Sequence, residues 1–161
     1  MRRLSGVVLA GAMLILPAFS QSAFAQEAAP AAAQAAAPQK TTFDGDSVVW
    51  IFSVNPGKDA DYEQVIAKLK AALAKANTPE AKQQAAGWTI TKSTKPLTQD
   101  GSSTYIHIIN PVVKGADYSI VNIVYAQSTD EEKRAFYELY RGSLKGALSM
   151  MQATTVSKLG Q

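Results

Sequence analysis

His107 is the chain's one imidazole, and there is no cysteine, so any chemistry has to be built from a single ring, carboxylates, hydroxyls and indoles. Side chains alternate along Tyr105-Ile106-His107-Ile108-Ile109, which puts His107 on one strand face with Tyr105 and Ile109. An imidazole held there finds a partner or meets solvent. Two roles stay open: a hydrogen-bonded core or interface histidine, and a group in a cavity between sheet and helices that acts as a catalytic proton acceptor or contacts a ligand. Trp50, Trp88, Tyr105 and His107 form the candidate ligand-binding set, because large aromatics on strands either pack a core or line an apolar pocket.

Other chemistries are disfavoured by residue type. A catalytic zinc site draws three ligands mostly from His and Cys, and one His cannot supply them. Asp44 with Asp46 and Asp59 with Asp61 lack the closing glutamate of a calcium loop and read as turn and helix-cap acids. No Gly-x-Ser-x-Gly elbow, phosphate loop or dinucleotide fingerprint is present. The expectation is no metal and no cofactor.

The elements that position these residues can be read in order. Ser47 to Val54 is a strand apolar on both faces, closed by Asn55-Pro56-Gly57. Asp59 stands as N-cap of a helix striped by Tyr62, Val65, Ile66, Leu69, Ala72, Leu73 and Ala76. Thr78-Pro79-Glu80 restarts a short helix ended by Gly87. Trp88 to Ser93 and Thr104 to Asn110 are strands joined by a turn-rich loop. Tyr118 to Tyr125 reads as a short helix. Thr129 and Glu132 form a capping box for a helix that carries Phe136, Leu139, Tyr140 and Leu144 and stops at Gly146. Leu148 to Leu159, centred on Thr154-Thr155-Val156, is the last strand.

Residues 1–25 have the features of a secretory signal: Arg2 and Arg3, an apolar run from Leu4 to Phe19, and Ala23-Phe24-Ala25 before a cleavage point. The run is short for a membrane span, so no stable membrane insertion is expected after cleavage. The surroundings of a twin-arginine signal are missing, and without cysteine there is no lipid attachment. Residues 26–40 are an Ala/Pro/Gln-rich spacer with too few large apolar side chains to order themselves, and 41–161 form a single domain. Cleavage removes Arg2 and Arg3 and leaves 14 basic against 13 acidic residues, which takes away the electrostatic case for a nucleic-acid partner. A periplasmic or secreted location follows, with the fold held by its core rather than by disulfides.

Strand, helix, strand, strand, helix, strand is the ferredoxin-like βαββαβ order, an α+β class with a four-stranded antiparallel sheet. One face of such a sheet takes the helices. The other would leave an apolar first strand bare, and a second copy is the economical cover. With that order and length, the chain resembles the dimeric α/β barrel superfamily, which includes the antibiotic-biosynthesis monooxygenase-like domains. Trp88 to Ser93, Tyr105 to Pro111 and Gly115 to Tyr118 are also similar to segments of small exported bacterial proteins of unassigned role. The resemblance spans Thr42 to Leu159 and implies a homodimer packed sheet to sheet. In monooxygenase-like relatives an Asn, a Trp and sometimes a His surround an aromatic substrate; Asn55 or Asn110, Trp88 and His107 are the matching types here, with no role carried over. The leading expectation is an exported, dimeric domain, non-enzymatic or of undetermined role, with room for a small apolar ligand. The alternatives are a cofactor-independent oxygenase or isomerase acting on an aromatic or quinone-like molecule with His107 as base, and a protein-interaction module.

Overall fold

The structure is a computed structural model that describes residues 39–159; the expected signal 1–25 and all of the spacer except Gln39 and Lys40 lie outside the described residues. Its elements are β1 (Ser47–Val54), α1 (Asp59–Ala76), α2 (Pro79–Gly87), β2 (Trp88–Lys92), β3 (Ser103–Ile109), α3 (Ile120–Tyr125), α4 (Asp130–Ser143) and β4 (Leu144–Ala153). The strands lie in the order β2-β3-β1-β4, every neighbouring pair antiparallel. This is the expected α+β, ferredoxin-like sheet, with α2 and α3 added to the two long helices.

Local sequence accounts for most of these elements. The α1 stripe buries Tyr62, Val65, Leu69, Ala72 and Leu73, and Asn77 in the left-handed region ends the helix. Each large apolar side chain removed from water contributes about 1.5–3 kcal/mol. In α4 the capping box forms on both sides: the Glu132 N–H donates to Thr129 Oγ1, and the Thr129 N–H to Glu132 Oε2 at 2.7 Å. Val54 and Tyr105 of the sheet meet Tyr62, Val65 and Leu69 of α1, Ile120 and Val124 of α3, and Phe136 of α4 in the main core. A smaller core of Phe43, Val48, Ile109, Val112, Ala116 and Tyr118 lies beneath the segment after β3, and Trp88 borders both.

Three expectations about element ends are corrected. Asp59 is the first residue of α1 rather than its cap; Lys58 holds the cap position without a side-chain hydrogen bond, and the Asp59 carboxylate is drawn to Lys92, Ser103 and Tyr105 instead. Gly146 does not stop α4. That helix ends at Ser143, where the Leu144 N–H bonds back to Tyr140 and the Ser143 carbonyl accepts the Asn55 N–H, so the chain turns directly into β4 beside the end of β1. The last strand is accordingly Leu144–Ala153, not Leu148 to Leu159. Its partner β1 begins at Ser47, opposite Ala153, so the β-branched Thr154-Thr155-Val156 run has no strand to pair with, and Val156 is 99 % exposed.

The two sheet faces differ. Even-numbered residues of β1 with Tyr105, His107 and Ile109 of β3 face the helices. Val49 and Ile51 of β1, Ile106 and Ile108 of β3 and, opposite Val49, Met151 of β4 share the other face; the first three are half-buried, and Ile108 and Met151 are exposed.

Candidate functional site

His107 lies in the middle of β3, opposite Trp50 on β1 and Ile90 on β2. It is 0 % exposed. The Trp88 indole N–H donates to His107 Nδ1 at 3.2 Å, and Tyr62 Oη lies 3.0 Å from His107 Nε2. Because an indole can only donate, Nδ1 must carry a lone pair. The ring proton of the neutral form is therefore on Nε2 and is donated to Tyr62. Burial pushes the His107 pKa down to about 3, so the ring is neutral at physiological pH. The Phe52 ring packs 4.7 Å away.

The other candidates surround this histidine in different ways. Trp50 stacks at a tilt on Phe52 at 4.6 Å and meets Phe43 edge-on at 5.9 Å. Tyr105 packs its ring against Tyr62 at 4.8 Å, but its hydroxyl points to a separate polar cluster, 3.1 Å from Asp59 Oδ1 and 3.0 Å from Glu63 Oε1. Ser103 donates to Asp59 Oδ2, and Lys92 Nζ sits 2.6 Å from Asp59 Oδ1. The hydrogen bond from Lys92 holds the Asp59 carboxyl below its ordinary range, whereas burial, joined by the two carboxylates, pushes the Tyr105 phenol up. Tyr105 thus remains a protonated donor tying β3 to the first turn of α1. Among the described residues no group of three or more His, Cys, Asp or Glu is placed to hold a metal.

Trp88 has a second surface. A cavity of about 430 Å³ runs between the helices and the outer strand β2, walled by Ile66, Leu69 and Leu73 of α1, Ala85 of α2, and Trp88 and Ile90 of β2, with Lys70 and Thr89 as its polar members. Of the four sequence candidates, Trp88 is the one that lines this cavity; His107 stands behind it, sealed. The two asparagines considered beside them do not join the group. Asn55 follows the end of β1 and Asn110 the end of β3, and because those strands are antiparallel the two lie at opposite ends of the sheet, on the order of 20 Å apart.

Sequence reasoning missed Tyr62 as the histidine's partner. The stripe of α1 marked it as core, and nothing in a helical period tells which core residue carries a hydroxyl to a strand opposite. It also missed the cavity walls, since Ile66, Leu69, Leu73 and Ile90 look like any packed stripe until the gap beside β2 is seen.

No family model matches the chain, and no curated protein matches it. Among solved structures, a protein of Caulobacter crescentus CB15 described as a "putative antibiotic biosynthesis monooxygenase" aligns with 19% identity over 68% of this chain and 89% of that one, with a TM-score of 0.33. The strand order β2-β3-β1-β4 with antiparallel neighbours is by itself the ferredoxin-like arrangement that the element order predicts.

Proposed function

We propose that this chain is an exported, homodimeric small-molecule-binding domain without catalytic activity, and that its ligand is an apolar molecule seated against Trp88. One observation carries the reading: the Trp88 indole walls a cavity within the roughly 300–1,000 Å³ range of small-molecule sites, while its N–H is fixed on a buried, neutral histidine. The hydrogen bond holds the ring rigid, and a rigid aromatic wall binds without losing side-chain freedom. Catalysis by His107 draws no support from the same geometry. A general base needs a lone pair within reach of substrate; the Nδ1 lone pair is taken by Trp88 and Nε2 is engaged with Tyr62.

The homodimer rests on a different observation. Val49, Ile51, Ile106, Ile108 and Met151 form an apolar face that no helix covers among the described residues, and a two-fold pairing covers such a face with its own equivalent. Export rests on the signal pattern of residues 1–25. No nucleic acid and no membrane span enter this reading; among the described residues no helix is long and apolar enough to cross a membrane.

A native mass spectrum of the protein purified from its own envelope fraction tests both parts. The expected result is a dimer with a small-molecule adduct that is lost on Trp88→Ala. A bare monomer would overturn the dimer and turn attention to a protein partner on the same face. An unliganded protein whose Trp88 emission responds to no apolar probe would overturn the binding site.

A further inference from the structure

Resting on the reading of the Trp88 cavity as a ligand site, we infer that it takes a small amphipathic anion: an apolar or aromatic body carrying one carboxylate-like group. Lys70 is among the residues that line the cavity, and no Asp or Glu is. Lys58, Lys92, Lys114, Lys133 and Lys145 each have a carboxylate within 4.0 Å. Among the described residues Lys70, like Lys68, Lys82 and Lys95, has none and its ammonium makes no hydrogen bond, but Lys70 is the lysine that lines this cavity. Its methylene stem can lie along the apolar wall while the charge stays at the solvent boundary.

The backbone of β2 adds a donor. The Ser93 N–H bonds to Thr104 O, and the Asn110 N–H to Gly87 O, so Gly87, Thr89, Thr91 and Ser93 turn their polar groups toward β3. By the alternation of an antiparallel ladder, Trp88, Ile90 and Lys92 turn theirs outward. β2 is the outer strand of the sheet, so among the described residues those groups meet no further strand. Ile90 is itself a wall of the cavity, so its N–H, directed off the open edge of the sheet, stands at the border of the cavity. One mobile cation and one fixed N–H beside apolar walls match a monoanionic head group on an apolar body. A neutral ligand would use the walls and leave both polar features idle.

The test uses two fluorescent probes of similar aromatic body, the anionic 8-anilinonaphthalene-1-sulfonate and the neutral N-phenyl-1-naphthylamine, titrated into the purified protein and into Lys70→Met, with energy transfer from tryptophan as the readout. Trp50→Phe assigns the transfer to Trp88, and wild-type titrations repeat the measurement should that variant fold poorly. Methionine keeps an apolar stem and removes the charge, so the anionic probe should lose about two- to five-fold in affinity, the range of an exposed ion pair. The neutral probe should bind unchanged. Equal behaviour of the two probes across Lys70→Met would overturn the anion preference and leave the cavity as a site for neutral ligands. Failure of both probes to draw energy from Trp88 in the wild-type protein would overturn the site itself.

Discussion

On the helix-covered side of the sheet β3 presents Tyr105, His107 and Ile109, all 3 % exposed or less, whereas on its other side it presents Thr104, buried at the start of the strand, and then Ile106 and Ile108, the latter 38 % exposed. The same seven-residue strand therefore carries two kinds of surface. Its inward face holds the polar chemistry, and that chemistry is consumed internally: Trp88 and Tyr62 close both nitrogens of His107. Its outward face has little chemistry but unsatisfied apolar area. The residue that looks most catalytic thus has both ring nitrogens engaged inside the subunit, and on the proposed reading the surfaces that meet other molecules are the apolar ones beside it.

The largest effect should come from breaking the inward face. His107→Ala removes the partner of both Tyr62 and Trp88 and leaves a gap in a packed layer, which should cost about 2–4 kcal/mol of stability. Glutamine can accept from the indole and donate to the phenol, so His107→Gln should lose less than half as much. Urea unfolding with an unchanged slope reads the difference. Equal midpoints for wild type and His107→Ala would mean that the network holds nothing together, and the case for a sealed structural histidine would fall.

Titration gives the next effect. With its pKa near 3 in the fold and about 6.5 in the unfolded chain, His107 binds a proton only when the protein unfolds. Stability should therefore fall as pH drops below about 6.5, by at most about 1.4 kcal/mol per pH unit. Asp46, Asp59, Asp100, Asp130 and Glu132 are all held below their ordinary carboxylate range, and their contributions are lost only in more acidic solution. The interval from pH 6.5 to 5 thus belongs to the histidine. His107→Gln should flatten it, and a slope that survived in that variant would have to come from other groups.

How far these features could be read in the sequence follows from what kind of signal each one leaves. The strands around Trp50 and His107, the α1 stripe and the Thr129–Glu132 box depend on neighbours in sequence, and they stand where alternation and capping put them. The ends of α4 and β4 depend on a neighbour in space. Leu144 leaves the helix because Val54 lies opposite it, and no local rule about Gly146 could anticipate that. The site divides in the same way. Alternation put His107 and Tyr105 on one face, but the phenol of Tyr62 is 45 residues away in sequence from its imidazole. The cavity beside Trp88 exists because β2 is the outer strand, which is a property of the assembled sheet.

The smallest effect on the fold, and the one that sharpens the comparison most, belongs to the outward face. Ile108 is already exposed, so Ile108→Glu should change the stability of a single subunit by no more than about 0.5 kcal/mol. If two copies pair through this face, the substitution sets like charges against each other across a desolvated surface, where an unpaired charge is strongly unfavourable. The native mass should then drop from dimer to monomer, and the thermal midpoint should lose its dependence on protein concentration. A dimer that persisted in Ile108→Glu would be held by another surface, and the apolar face would need a different occupant. The contrast with His107→Ala is the informative one: a substitution on the inward face should weaken the subunit, and one at the very next residue, about a third of a nanometre along the same strand, should separate two intact subunits, since residues rise about 3.3 Å each and alternate in direction.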